Sequence, residues 1–226
     1  MGGHITKVKK SIWITLAIAI IVTLLIEKFG LDIKISNYFY SEENGFFLKN
    51  KGLVLFLYHY GPIPALGISI SSLILYLLGI FISKFRPYKK QALFLVLVMI
   101  IGPGILVNAI FKDHWGRPRP KQVEEFGGKL SYRRVWHPGN AQGGRSFPSG
   151  HASMGFYFLS FYYLFRKSSK KLAWGFFALG IFAGFSIGLA RIIQGAHFFS
   201  DVLWSGLFVY ITCEILSPIL EDRTRL

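Results

Sequence analysis

Three short polar segments of the chain contain the residue types of a phosphoryl-transfer site. They read KDHWGRPRP (112–120), FPSGH (147–151) and RIIQGAHFFSD (191–201). Together they supply cations, two histidines and a carboxylate, which can bind a phosphate, attack it and protonate a leaving oxygen. Each segment adjoins an apolar run long enough to cross a bilayer, so we expect the chemistry to lie at a membrane face.

The first segment carries a lysine and an arginine where the chain cannot stay helical. Six residues separate Lys112 from Arg119, and the two prolines disfavour a helix around them. Arginine presents a planar fork and lysine a compact charge, so the pair suits a phosphoryl group. For this segment alone, snorkelling of Lys112, Arg117 and Arg119 at the headgroups is an equal alternative. Asp113 and His114 receive no predicted role.

The second segment opens the fourth apolar run and is typical of a helix start. Ser149 can accept from the first free amides, and the positive end of the helix dipole lies there. We therefore expect the free amides of this first turn to form an anion-binding site. His151, in the first turn, could protonate a leaving oxygen. A serine cap beside an interfacial histidine is the structural alternative.

The third segment spaces a histidine and an aspartate four residues apart. If this turn is helical, Asp201 accepts a hydrogen bond from His197, which leaves the other imidazole nitrogen free to attack phosphorus. Arg191 precedes His197 by six residues, and Gly195 between them allows a sharp turn. A structural ion pair between Arg191 and Asp201 is the competing account. Charged groups at the ends of apolar helices cost free energy, which favours a functional role for these residues over a structural ion pair.

Composition predicts an all-α integral membrane bundle. Hydrophobic residues make up 52% of the 226-residue chain, mean hydropathy is +0.44, and the apolar residues fall in blocks. Helices that are apolar all round need lipid around them. We predict one domain, residues 1–226, with its motifs within 112–201. The six predicted spans are residues 11–26, 61–83, 91–111, 149–165, 172–190 and 198–217.

Clusters of positive charge predict the orientation of this bundle. They comprise Lys7, Lys9 and Lys10; Lys84, Arg86, Lys89 and Lys90; Arg166, Lys167, Lys170 and Lys171; and Arg223 with Arg225. With six spans all of them share one side, which the positive-inside rule makes cytoplasmic together with both termini. The three motifs then face outward. Residues 31–60, rich in aromatic side chains, are predicted to form an interfacial segment that guides acyl chains.

The charge and the cysteine content narrow the function classes. The formal charge is +15, but topology and anionic headgroups account for the cytoplasmic cations, so we expect no nucleic-acid partner. Cys213 is the only cysteine, which excludes an intrachain disulfide and a thiolate metal cluster. No obligate protein partner is evident in the sequence.

The order and spacing of the three motifs resemble the type 2 phosphatidic acid phosphatase (PAP2) superfamily, which includes membrane lipid phosphatases and vanadium haloperoxidases. The pattern is Lys-x6-Arg-Pro, then Pro-Ser-Gly-His, then Arg-x5-His-x3-Asp, across residues 112–201. One departure is Ala190, where the family usually has serine before the arginine. The soluble nature of the haloperoxidases makes a vanadium oxidase the less favoured chemistry.

This resemblance implies a role for each motif residue. His197 is the nucleophile that forms a phosphohistidine, Asp201 orients it, and His151 is the general acid. No metal and no cofactor is required. The implied phosphate ligands are Lys112, Arg119, Ser149, Gly150 and Arg191.

The substrate is predicted to be a phosphorylated membrane lipid at the periplasmic face of a bacterial inner membrane. The glycine-rich runs at 125–128 and 143–147 resemble those of bacterial lipid A 1-phosphatases, which implies removal of the 1-phosphate of lipid A. Arg133, Arg134 and Arg145 are possible headgroup contacts, or solvated loop charges. Phosphatidylglycerophosphate, undecaprenyl diphosphate, a lipid phosphotransferase and a catalytically silent binding protein remain open.

Overall fold

The computed structural model describes residues 2–140 and 143–220, and it is built almost entirely of helices. Five helical stretches are long and apolar enough to cross a membrane: Lys10–Lys28, Gly52–Phe81, Ser83–Lys112, Lys170–Ile193 and Phe199–Leu220. The coarse prediction of an all-α membrane bundle therefore agrees with the structure.

Most of the helices follow one another with short connections, and the longest connection, residues 113–149, precedes α6. They are α1 (Gly2–Lys28), α2 (Leu31–Asn37), α3 (Gly52–Tyr60), α4 (Ile63–Phe81), α5 (Lys89–Met99), α6 (Gly150–Phe156), α7 (Leu159–Phe165), α8 (Lys170–Ile193) and α9 (Phe199–Leu216). A 3₁₀ turn, Ser83–Tyr88, leads into α5, which continues as a π-helix through Ile100–Lys112. Further 3₁₀ turns cover Pro120–Gln122, Glu124–Phe126 and Ser217–Leu220.

The fourth predicted span, residues 149–165, is divided in the structure. A turn at Tyr157 and Phe158 separates α6 from α7, and neither helix alone has the length of a span. Gly155 on α6 lies against Gly184 on α8 so closely that an added Cβ would meet backbone. Small residues at such crossings let helices approach. The sixth crossing stays a prediction.

The segment between the first two spans is shorter than predicted. Residues 31–60 were expected at the interface, but α3 joins α4 across Gly61 and Pro62 as one candidate span, Gly52–Phe81. The remainder holds α2 and a two-stranded hairpin, β1 (Tyr40–Ser41) and β2 (Gly45–Phe46). Its location at the interface stays a prediction.

The core brings the polar ends of the helices together. Phe94 and Val98 of α5, Phe156 of α6, Ile192 of α8 and Val209 of α9 belong to one buried cluster. A second cluster packs Phe46, Val123, Phe126 and Phe198 beside the third motif. Three of the basic clusters lie at the opposite end, at the α4–α5 and α7–α8 connections and the start of α1. The side chains of Lys7 and Lys9, and Arg223 with Arg225, lie outside the described residues.

Candidate active site

All three motifs meet at one end of the bundle. The π-helix ends at Lys112, α6 begins at Gly150, α8 carries Arg191 in its last turn, and α9 begins just after His197. A polar pocket of about 260 Å³ opens here. Its lining residues are Lys49, Asn50, Tyr58, Arg119, Lys121, Arg191, Gln194 and Ala196. A larger apolar cleft, about 370 Å³, lies elsewhere, between α1, α8 and α9.

His197 is almost completely buried and one of its ring nitrogens is fixed. Its Nδ1–H donates to the backbone carbonyl of Ser146 at 2.5 Å, and Nε2 has no partner in the described part of the chain. Burial lowers the pKa of His197 to about 4, against the opposing influence of Asp201. The imidazole is therefore neutral at physiological pH, as a nucleophile must be.

The position of Asp201 differs from the expectation of a direct hydrogen bond to His197. The carboxylate Oδ2 lies 3.8 Å from His197 Nδ1. His197 lies before the extended N-cap residue of α9, Phe198, so it does not share a helical face with Asp201. Asp201 Oδ2 instead accepts from the Ser146 hydroxyl at 2.6 Å and from the Phe198 amide at 2.7 Å. Asp201 thus holds the two residues that hold the imidazole.

Arg117 is the functional residue that the sequence analysis placed only at the headgroups. Its guanidinium is fully buried, donates to Asp201 Oδ1 at 2.5 Å and to Asp32 Oδ2 at 2.8 Å, and lies over the ring of Phe198. Its Nε donates to the backbone carbonyl of Arg133. The two carboxylates raise the pKa of Arg117 above its ordinary value, despite burial. We call His197, Asp201, Arg117 and Ser146 the catalytic floor.

Lys112 lies where the first and second motifs touch. Its Nζ donates to Asn108 Oδ1 at 3.3 Å, and Asn108 Nδ2 donates to the carbonyl of Pro103 at 2.7 Å. A Cβ added at Gly150 would collide with Asn108 and press on Lys112 Nζ. Glycine at this position therefore lets the start of α6 lie against both side chains without displacing them.

Arg119 of the first motif and Arg191 of the third motif both line the pocket. Arg191 Nη1 donates to Gln194 Oε1, whereas its buried Nε has no hydrogen-bond partner among the described residues. A buried, unsatisfied donor on a cation indicates a place for an anion. The alternative ion pair between Arg191 and Asp201 does not form, because Arg117 occupies that carboxylate. Burial, together with the nearby charge of Arg145, lowers the pKa of Arg119.

The pocket is strongly positive. Burial, with the neighbouring charges of Arg119, Arg191 and Lys49, lowers the pKa of Lys121. We call Lys112, Arg119, Arg191, Lys49 and Lys121 the cationic rim. Within residues 2–140 and 143–220 none of these five forms an ion pair with a carboxylate. Such an excess of charge attracts an anionic ligand.

In this structure Ser149 is a helix cap, the structural alternative to a phosphate ligand. Its side chain is fully buried and accepts from the amide of Ala152 as the N-cap of α6. Its own amide donates to the carbonyl of Asp201, which ties the second motif to the third. The predicted contact of the Ser149 hydroxyl with phosphate therefore stays a prediction.

His151 lies at the edge of the pocket, against an aromatic residue outside the motifs. Its ring stacks on Tyr58 of α3, with centroids 4.9 Å apart and planes 20° apart. The imidazole of His151 interacts electrostatically with Arg191, His197, Lys112 and Arg119. The two histidines, separated by 46 residues of sequence, thus belong to one site.

The three possible headgroup cations occupy different places. Arg145 forms an exposed ion pair with Asp113 and is close enough to influence Lys112 and Arg119. Arg133 donates to the carbonyl of Pro138 on the surface, and Arg134 is near Glu27 at the end of α1. Of the three, the structure brings only Arg145 near the cationic rim. His114 Nδ1 makes a hydrogen bond to the backbone carbonyl of Ile110.

The residues missed by sequence reasoning are those that hold the motif residues. Asp32, Ser146, Asn108 and Tyr58 had no signal in their local spacing, because their partners are distant in the chain. The turn predicted at Gly195 is confirmed, with φ at +61°. Phe46 packs against that glycine, where a Cβ would collide with its ring. Among residues 2–140 and 143–220 no group of three or more metal-ligating side chains occurs.

Comparison with known proteins agrees with this geometry. The model of the PAP2 superfamily matches residues 91–225, which hold all three motifs. The chain belongs to the PAP2 superfamily. The resemblance noted from the motifs is thereby confirmed, and so is the predicted enzyme class, a lipid phosphatase that acts on phosphate monoesters.

Relatives with assigned names are bacterial. The chain is 38% identical to a lipid A 4′-phosphatase of Francisella tularensis subsp. novicida, over 86% of this chain and 88% of that protein. It is 32% identical to a lipid A 4′-phosphatase of Rhizobium leguminosarum, over 62% of this chain and 60% of that protein. A lipid A 1-phosphatase of Rhizobium etli is 29% identical, over 59% of this chain and 60% of that protein. No solved structure matches the chain.

Proposed function

We propose that this phosphatase removes a phosphate from lipid A, at the 4′ position, through a phosphohistidine. The single observation that carries the mechanism is the state of His197: Ser146 fixes its Nδ1, its Nε2 has no partner among the described residues, and the charges of Arg191 and Lys112 reach its ring. The names of the relatives support the lipid. Prediction from the sequence favoured the 1-phosphate, which only one of the relatives named above supports.

The first half-reaction transfers the phosphoryl group to the protein. His197 Nε2 attacks phosphorus while the bond from phosphorus to the ester oxygen breaks, and His151 donates a proton to that leaving oxygen. Lys112, Arg119 and Arg191, with the amide of Gly150, bind the phosphate oxygens and offset the charge of the transition state. The nearby carboxylate of Asp201 offsets the positive charge that develops on the imidazole.

The second half-reaction restores the enzyme. A water molecule gives a proton to His151 and attacks phosphorus, the bond to Nε2 breaks, and inorganic phosphate leaves. Every charge that the reaction requires is supplied by side chains and a helix start. Activity in the presence of a chelator is therefore part of the proposal, and no cofactor takes part.

The proposed location is the outer face of a bacterial inner membrane. The helix pair α6–α7 begins at the site and ends near the basic cluster 166–171, which supports a sixth crossing made of two short helices. With six crossings, the basic connections and both termini lie in the cytoplasm, and the site faces the periplasm. There it meets the headgroup of a lipid substrate.

The test is phosphate release from defined lipids by purified protein in detergent, with EDTA present. Bisphosphorylated lipid A, phosphatidylglycerophosphate and undecaprenyl diphosphate are compared, and mass spectra of the products assign the position. We expect loss of the 4′-phosphate from lipid A and none with His197→Ala. Loss of the 1-phosphate instead would overturn the positional proposal, and preference for another lipid would overturn the substrate.

The phosphohistidine is tested separately. Rapid quenching with ³²P-labelled substrate should trap label on the wild-type chain in an acid-labile, alkali-stable bond. The same bond in His197→Ala would contradict the assigned nucleophile. A second lipid added as acceptor separates hydrolysis from phosphotransfer, since a transferase gives a new phosphorylated lipid and little free phosphate.

A further inference from the structure

Tyr58 contacts both the proposed general acid and a proposed phosphate ligand. The phenol ring stacks on the imidazole of His151. The guanidinium carbon of Arg191 lies 4.4 Å from the centroid of the same phenol ring. Tyr58 also lines the phosphate pocket. One aromatic side chain of α3 therefore contacts functional groups from the second and the third motif.

The ring of His151 has little else to hold it. In residues 2–140 and 143–220, neither of its nitrogens makes a hydrogen bond, and Tyr58 supplies its one aromatic stack. His197 is different, because a carbonyl fixes its Nδ1. A general acid must point at the leaving oxygen to work, so a side chain with free rotation about two bonds needs a support.

The electrostatics of the stack suit an acid that must carry a proton. The face of an aromatic ring is negative, so it attracts both a guanidinium and a protonated imidazole. The charge of Arg191 acts against protonation of His151. The attraction of the phenol ring for an imidazolium opposes this repulsion in part.

We propose that Tyr58 is a positioning residue that aims His151 at the leaving oxygen. The inference rests on the proposed phosphatase mechanism and adds to it a residue outside the part of the chain that the family model matches, residues 91–225. It also assigns a task to α3: the start of the second span supplies a wall of the active site.

The test uses the leaving group as its readout. An alkyl phosphate has a poor leaving group that needs a proton, whereas p-nitrophenyl phosphate has a good one that does not. For Tyr58→Leu we expect kcat on dodecyl phosphate to fall by about 10- to 100-fold, part of the usual contribution of a general acid. On p-nitrophenyl phosphate kcat should change by less than about threefold. Tyr58→Phe should behave as wild type on both.

Two further variants make the test specific. His151→Ala should show the same selective loss, and Tyr58→Leu in that background should cost nothing more, because positioning an absent acid has no effect. Tyr60→Leu is the matched control: Tyr60 is on the same helix, is 57% exposed and contacts Phe56 and His59. It should lower neither rate.

Several outcomes would overturn the inference. Equal losses on both substrates would make Tyr58 a structural or phosphate-binding residue, and a defect in Tyr58→Phe would assign the effect to its hydroxyl. Tyr58→Met is the second variant if leucine prevents folding, as judged by gel filtration and thermal melting. Failure of the phosphatase proposal is distinct, because His197→Ala would then stay active on p-nitrophenyl phosphate whatever the Tyr58 variants do.

Discussion

The catalytic floor and the cationic rim are built on opposite principles. On the floor, Asp201 accepts from Arg117, Ser146 and the Phe198 amide, and Arg117 is shared with Asp32. At the rim, five cations have no carboxylate partner in the part of the chain that the structure describes, and a buried donor of Arg191 is unsatisfied. The floor is preorganised by protein groups, whereas under the proposed function the phosphate of the substrate completes the rim.

The largest effect should come from the nucleophile on the floor. His197→Ala removes the atom that bonds to phosphorus, so we expect kcat to fall by at least about 10³-fold. Initial rates of phosphate release measure this. The matched control is His114→Ala, because His114 is exposed and bonds only the Ile110 carbonyl at the same membrane face. A similar loss in that control would show that the assay reports damage to the fold.

Arg117→Leu should separate the floor from the rim by its effect on stability. It leaves Asp201 and Asp32 buried without their shared cation, a loss typically worth about 3–5 kcal/mol. We expect a lower Tm in detergent together with a loss of activity. Asp32→Asn should cost less, because Asp201 keeps its partner.

The control for this pair is Arg134→Ala, a surface change near Glu27 that should leave Tm unchanged. Equal stability of Arg117→Leu and wild type would contradict the view that the floor is held together by this ion network.

Arg191→Leu should show the opposite pattern at the rim. Removing one of several uncompensated cations relieves repulsion, so Tm should not fall, while kcat/KM should fall by about 10²- to 10³-fold through lost charge stabilisation. Inorganic phosphate should raise the Tm of wild type more than that of the variant, since a ligand stabilises the state it binds. A large loss of stability without phosphate would place Arg191 with the floor.

Acid pH should give the smallest and most selective effect. Burial lowers the pKa of His197 to about 4, so the nucleophile stays neutral from pH 7 down to about 5 and is protonated only below that. We expect the acid limb of kcat to lie near pH 4 to 5 rather than at 6.5. The unfolded chain takes up this proton near pH 6.5, so the free energy of unfolding also declines as pH falls from about 6.5 to about 4. A limb at 6.5 with intact protein would contradict the buried neutral imidazole.

Local spacing was enough to identify the superfamily, because its motifs lie in short stretches of chain. The roles of the individual motif residues stay predictions. A phosphate site was predicted from three local features: cations beside prolines, a histidine at a helix start and a histidine near an aspartate. Spacing failed at one local point. The interval between His197 and Asp201 suggested a helical hydrogen bond, but α9 begins only at Phe199, and the Ser146 carbonyl takes the place of the carboxylate.

By itself, the sequence determined the apolar helices, the three polar motifs between them and, through those motifs, the superfamily. Hydropathy and residue chemistry are properties of the local chain, so no folded structure was needed to read them. Only the tertiary structure decided that Arg117 is buried, that it contacts Asp32, 85 positions away in the chain, and that Tyr58 stacks on His151. Those roles arise from packing between distant segments, for which the spacing of residues carries no signal.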